Sequence, residues 1–244
     1  MPHLALSRPE VQKQTEVSRV RPMGFVFFGL TGGIATGKST VARFMREQGL
    51  AIIDADLVAR QVVQKGSDGL RDIVQNFGGE VLSKDGELDR KALGRMVFSD
   101  EQARRRLNEI THPRIRDEAT RQAQQYAREG HELIAYEAAL LVEAGLADKY
   151  RPLVLVVCDE ATQLERLKAR DGYSTQEAQA RIAAQMALAE KRRYANLVID
   201  TGASLEEVRR GSIEVLWGIC RACEIDVGRY KAETEGVNEL TRTR

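Results

Sequence analysis

No apolar run in the 244-residue chain approaches the ~20 residues that a membrane-spanning helix needs. Charge of one sign is not in excess either. Lys and Arg number 37 against 36 Asp and Glu, a formal net charge of +1. Such a balance lacks the basic surplus of a nucleic-acid or membrane-surface binder, so neither partner is expected. Cysteine is scarce, with Cys158, Cys220 and Cys223 the whole complement. Three thiols exclude a disulfide framework, and no uninterrupted apolar leader marks secretion, so a reducing, cytoplasmic setting is the default. Cys220-Arg-Ala-Cys223 has C-x-x-C spacing, but no second pair completes a four-ligand zinc site, and it reads as structural. Internal repeats and low-complexity tracts are also missing.

What is present is an ordinary globular composition, 43% hydrophobic and 30% charged. At roughly 100–200 residues per domain, the length suggests one large domain or a core with insertions. Residues 1–22 hold three prolines among polar residues and no apolar periodicity, and read as a disordered extension. Met23 stands as an alternative start just before the first strand. Four apolar runs follow, Phe25–Phe28, Leu133–Tyr136, Leu153–Val157 and Leu197–Ile199, with a weaker one at Ala51–Ile53. They do not alternate polar with apolar, which is the pattern of strands buried on both faces of a parallel sheet. Helical patterns lie between them. Over 38–48, Val41, Phe44 and Met45 share a face; Leu164 with Leu167, and Val208, Ile213 and Leu216, do the same later. Strand alternating with helix predicts an α/β fold, doubly wound, with five strands. The interval of some 80 residues between the second and third strands is too long for a crossover. A helical insertion at about 60–130 is expected there, with a second, charge-rich one at about 166–192.

The stretch Gly32-Gly33-Ile34-Ala35-Thr36-Gly37-Lys38-Ser39 fits G-x-x-x-x-G-K-[ST]. Glycines let the backbone turn tightly so that successive N–H groups face phosphate oxygens. The helix opening at Lys38 adds its positive dipole end. Lys38 is expected to reach the β- and γ-phosphates of ATP, Ser39 to ligate Mg²⁺, and Thr40 to complete the loop. Ile53-Asp54-Ala55-Asp56 then places two carboxylates where the second strand should end, the edge at which α/β sheets bind ligands. Residues i and i+2 of an extended segment share a face, so one acid could orient Mg²⁺ and the other accept a proton. A helix N-cap at Asp54 or Asp56 is the structural alternative. Arg166 and Arg170 stand one helical turn apart after the fourth strand, either as phosphate-neutralising groups or as a solvated face. His112 precedes Pro113, read as the first-turn proline of a helix. Glu143 is read either as a cleft residue or as a surface one.

Leu30–Thr40, with Ile53-Asp54-Ala55-Asp56 and Ala59-Arg60, resembles the dephospho-CoA kinase family. His112-Pro113, Leu140-Leu141-Val142-Glu143, Gln163-Leu164-x-Arg166 with Arg170-Asp171, and Ile199-Asp200-Thr201-Gly202 extend the resemblance in order over about residues 25–215. Departures are Ala139 where the family usually has proline, Glu137 where aspartate or a small residue is common, and Asp200-Thr201 where asparagine is more usual. The resemblance implies a three-layer α/β/α P-loop kinase fold over about 23–224, leaving 225–244 as a tail. It implies ATP- and Mg²⁺-dependent phosphorylation of the 3′-hydroxyl of dephospho-CoA, the last step of coenzyme A synthesis. It casts Asp56 as general base, Asp54 and Ser39 near the metal, and Lys38, Arg166 and Arg170 as charge-neutralising groups. The insertion would bind the coenzyme, and the protein would be a monomer or a weak homo-oligomer. The residues alone leave open another nucleoside or small-molecule kinase. A nucleotide-dependent switch is also open, although the N-K-x-D guanine-reading motif is missing.

Overall fold

The computed structural model describes residues 24–98 and 100–231. The expected extension at 1–22, and residues 232–244 of the expected tail at 225–244, lie outside the described residues. Each apolar run forms a strand: β1 (Val26–Gly32), β2 (Ala51–Asp54), β3 (Leu133–Glu137), β4 (Leu153–Val157) and β5 (Leu197–Asp200). They make one sheet in the order β2-β3-β1-β4-β5. The central strand β1 pairs in parallel with β3, Leu30 opposite Glu137, and with β4, Thr31 opposite Leu155. β5 pairs in parallel with β4. The central positions are apolar on both faces: Phe28, Leu30, Leu133, Ala135, Val154 and Val156 on one, and Ile134, Leu153 and Leu155 on the other, are all fully buried.

Nine α-helices join the strands of the described residues. They are α1 (Lys38–Glu47), α2 (Ala55–Gln61), α3 (Asp68–Phe77), α4 (Arg90–Phe98), α5 (Glu101–Arg128), α6 (Glu160–Asp171), α7 (Thr175–Ala183), α8 (Leu188–Lys191) and α9 (Leu205–Ala222). α1 buries Val41, Phe44 and Met45, the face that the sequence marks. It packs with α9 in the core cluster on β1, β3 and β4. α9 departs by one position from the expected stripe, burying Val208, Ser212, Leu216, Ile219 and Cys220 while Ile213 is only partly covered. The buried hydroxyl of Ser212 is no burden there, because it donates to the Val208 carbonyl at 2.7 Å.

Contacts divide the described residues into two compact units, one of those up to Ile52 with those from His131 onward, and one of Ile53–Gly130. The second unit starts earlier than the expected insertion at about 60, because α2 begins directly after β2 and packs on α5. Its own core holds Val63, Ile73, Phe77, Val81, Leu93 and Ala103. Within it, Pro113 lies inside α5 rather than at a helix start, a correction to the sequence reading. A mid-helix proline removes a donor, at a cost of about 3 kcal/mol in an unsupported helix. Here side chains hold the turns on either side: the Thr111 hydroxyl donates to the Leu107 carbonyl and Arg114 to that of Ile110, and Arg114 also pairs with Asp72 of α3.

The segment after 224 is a second departure. Ile225 and Tyr230 are buried in the first unit's core, and Tyr230 accepts the Leu133 N–H at 3.1 Å. The packed chain therefore runs to Tyr230, because two large apolar side chains in those few residues find room against α9 and β3.

Candidate active site

The phosphate loop occupies the turn from the end of β1 to the start of α1. Its tightness explains its glycines. A Cβ on Gly32 would stand 2.6 Å from the Thr36 hydroxyl and 2.9 Å from the Val156 carbonyl. Gly37 has φ 82°, in the left-handed region that costs side-chain-bearing residues about 1–2 kcal/mol. Ala35 bears that strain at φ 58°, the kind of outlier that clusters at ligand sites. Thr36 is fully buried, and its N–H and hydroxyl both turn back on the Gly33 carbonyl.

The loop divides its amides. Those of Ile34 and Thr36 are hydrogen-bonded within the protein, and that of Thr40 donates to Gly37 at 2.9 Å. Those of Ala35, Gly37, Lys38 and Ser39 have no partner among the described residues. α1 also lacks a side-chain N-cap. A turn of open N–H groups at an uncapped helix start is a built anion site.

Lys38 reaches from this turn to Glu137, Nζ to Oε1 2.6 Å. The other oxygen of Glu137 takes Arg46 at 3.1 Å. Glu137 is only 3% exposed, so its charge is held between two cations. The rule that ligands gather beyond the carboxyl ends of strands applies to the end of β3 as to β2. Glu137 is thus the site residue that sequence reasoning noted without giving it a role.

Arg166 and Arg170, one turn apart on α6, take different partners. Arg166 donates to the Thr201 carbonyl at 2.7 Å, to the Thr201 hydroxyl at 3.0 Å and, at a long 3.4 Å, to the Ala35 carbonyl. Thr201 in turn donates to the Thr36 carbonyl at 2.6 Å. Arg166 therefore braces the phosphate loop. Arg170 pairs with its neighbour Asp171, whose carboxyl it holds below the usual carboxylate range. Gln163 and Gln185 also touch the loop, at the carbonyl and the N–H of Ile34.

Asp54 and Asp56 belong to the second unit. The strand ends at Asp54 and helix begins at Ala55, so the premise of an extended segment with both acids on one face does not hold. Asp54 is the N-cap of α2, one oxygen accepting from the N–H groups of Asp56 (2.8 Å) and Leu57 (3.2 Å). Asp56 sits exposed in the first turn, its side chain making no hydrogen bond or ion pair among the described residues. Glu143 pairs with the fully buried Lys191 at 2.8 Å, which also donates to the Ala139 carbonyl. His112 is exposed on α5.

No group of three or more acidic, His or Cys side chains that could hold a metal occurs among the described residues. Mg²⁺ fits this donor set all the same. It keeps several waters and takes few protein oxygens besides substrate phosphates. The exposed Ser39 hydroxyl, unpartnered among the described residues at the start of α1, is such an oxygen. Cys220 and Cys223 are buried and form no disulfide, and burial lifts the Cys220 thiol to about 11, which suits a packing role. No helix among the described residues is long and apolar enough to cross a membrane.

The curated dephospho-CoA kinase of Bacillus anthracis is 50% identical over 121 residues, half of this chain and 60% of that protein. That of Bdellovibrio bacteriovorus is 44% identical over 132 residues, 54% of this chain and 66% of that protein. The chain thus spans about 60% of the length of the Bacillus relatives that it matches. Among solved structures, a Thermus thermophilus protein shares 32% identity at TM-score 0.71, over 80% of this chain and 98% of that one. A dephospho-CoA kinase from Campylobacter jejuni shares 29% at TM-score 0.60, over 80% and 97%. The family model described as dephospho-CoA kinase matches residues 26–207, most of the chain, and the chain belongs to that family.

Proposed function

We propose that this protein transfers the terminal phosphoryl group of ATP to the 3′-hydroxyl of dephospho-CoA, giving coenzyme A, in the cytoplasm. The observation that carries the reading is the set of open amides at Ala35, Gly37, Lys38 and Ser39, at the start of an uncapped helix. Four donors converging on one turn suit a polyphosphate.

The chain's own residues then divide the work. The loop amides hold the β- and γ-phosphates in place, and positioning is most of what phosphoryl transfer asks of a protein. Lys38 exchanges one oxygen of Glu137 for phosphate oxygen, while Arg46 stays on Glu137 and keeps its charge compensated. Ser39 would hold Mg²⁺, with Asp54 as the further candidate for it, and the ion would supply charge neutralisation on the phosphates. Asp56, exposed and unpartnered, accepts the proton of the ribose hydroxyl. Arg166 braces the loop, and Arg170 exchanges Asp171 for the transferring group. The unit of residues 53–130 binds the coenzyme. The reading requires that the acceptor hydroxyl reach Asp56 and the terminal phosphate together.

Product identification after incubation with ATP, Mg²⁺ and dephospho-CoA tests it. Wild type should make coenzyme A and consume ATP only when the acceptor is present. Asp56→Asn should still bind ATP but turn over at least ~10²-fold more slowly, the usual loss for a general base. ATP consumption without acceptor would reject the kinase reading, and equal turnover by the variant would take Asp56 out of its role.

A further inference from the structure

Ile34 has both of its backbone polar groups taken by glutamine side chains. The Gln185 Oε1 accepts its N–H at 2.7 Å, and the Gln163 Nε2 donates to its carbonyl at 2.7 Å. The next residue, Ala35, leaves its amide open. A loop that divides its donors this way keeps Ile34 for the protein and the others for a ligand.

Gln163 comes from α6, on the body of the first unit. Gln185 comes from the connection between α7 and α8. The chain just beyond it is pinned: the Met186 N–H donates to Glu143 at 3.2 Å, and Glu143 pairs with the buried Lys191. Just before α7, Gly172 closes α6 with φ 71°. The arm carrying α7 is thus bounded by a glycine turn at one end and by Gln185 at the other. Its first turn is capped from within, by the Ser174–Glu177 box. Gln185 is therefore the point at which the arm is fastened to the phosphate loop.

We infer that Gln185 is a positioning residue: it latches the arm carrying α7 to the phosphate loop through the Ile34 amide, so that the arm's placement follows the loop's conformation. When phosphate draws in the open amides, the Ile34 peptide moves with them, and the carboxamide carries that movement to residues 173–184. The kinetic part of this inference rests on the kinase reading; the structural part does not.

Two variants test it. Gln185→Met keeps the length and removes the acceptor; Gln185→Glu keeps an acceptor oxygen. Amide exchange of the protein with ATP alone reads the latch directly. Gln185→Met should lose protection at the Ile34 N–H and over 173–184, and Gln185→Glu should restore it at Ile34. In turnover, Gln185→Met should lower kcat about 10-fold while the KM for ATP moves less than about 3-fold, as expected when geometry rather than binding is lost. Wild-type exchange and kcat in Gln185→Met would overturn the inference. So would a loss of kcat that merely tracks a lowered melting temperature. If the wild type makes no coenzyme A, the functional reading falls by itself, and the Ile34 exchange still decides the latch.

Discussion

Glu137 concentrates the electrostatics of the phosphate loop in one side chain. It is buried, and it faces Lys38 and Arg46 with one oxygen each. Removing the acid leaves Lys38 without its counter-charge, while Arg46, 42% exposed, turns to water, so the cost falls below the about 3–5 kcal/mol of a fully buried pair. Glu137→Gln should therefore unfold more easily by about 1–2 kcal/mol, read by urea titration. Nucleotide phosphates supply negative charge at the same lysine, so ATP should raise the melting temperature of Glu137→Gln more than that of wild type. An equal or smaller rise would mean that Lys38 does not pass from Glu137 to phosphate. Lys38 is legible in the sequence because a short motif fixes its neighbours and its chemistry. Glu137 is not, because its role arises from cations 91 and 99 positions away along the chain, brought to the end of β3 by folding. Asp54 and Asp56 show the opposite case. Their spacing was legible, but the local conformation that sets their directions was decided by where β2 stops.

Among the elements, the strands were the most legible, since continuous apolar runs have few alternatives to a doubly covered sheet. The helices were legible where a cap and an apolar stripe agree. α9 opens with a capping box, Ser204 accepting from the Glu207 N–H while the Glu207 carboxylate takes the Ser204 hydroxyl and N–H. Those hydrogen bonds hold the Glu207 carboxyl below its ordinary value, and the same pairing lowers Glu177 on α7. A carboxyl lowered in the folded state stabilises above its unfolded value of 4.5, and that contribution is lost as pH falls through the lower folded one. Ser204→Ala should cost about 1 kcal/mol at neutral pH. Its difference from wild type should shrink on going from about pH 5 to about pH 3, because protonated Glu207 no longer accepts as a carboxylate. Urea unfolding at several pH values measures both. A difference constant with pH would assign the whole effect to the neutral cap. α5 was less legible, since Pro113 reads locally as a start and is overridden by the packing of α5 on α2, α3 and α4 and by the Arg114–Asp72 pair, which only the packed unit supplies.

At the scale of the molecule, each of the two units has its own apolar cluster, and the boundary falls inside β2. The long interval between strands announced the second unit, but not its first residue, because contact along α5 rather than composition sets it. The C-terminal end of the first unit was missed for a related reason: Ile225 and Tyr230 carry no periodic pattern, and only the fold shows where they go. Tyr230 closes the core from both sides. Its hydroxyl accepts the Leu133 N–H where β3 begins, and its carbonyl accepts the Trp217 indole N–H from α9 at 3.1 Å. Tyr230→Phe keeps the ring and the carbonyl but leaves the Leu133 amide unsatisfied, for a loss of about 1–3 kcal/mol. Tyr230→Ala also opens a cavity, for about 3–5 kcal/mol in total. Neither change touches the phosphate loop, so kcat well below the melting temperature should stay at the wild-type value in both. If Tyr230→Phe unfolds like wild type, the hydroxyl contributes nothing to the start of β3. If Tyr230→Ala does too, the segment after 224 lies on the core without holding it, and the fold ends with α9, as the sequence alone implied.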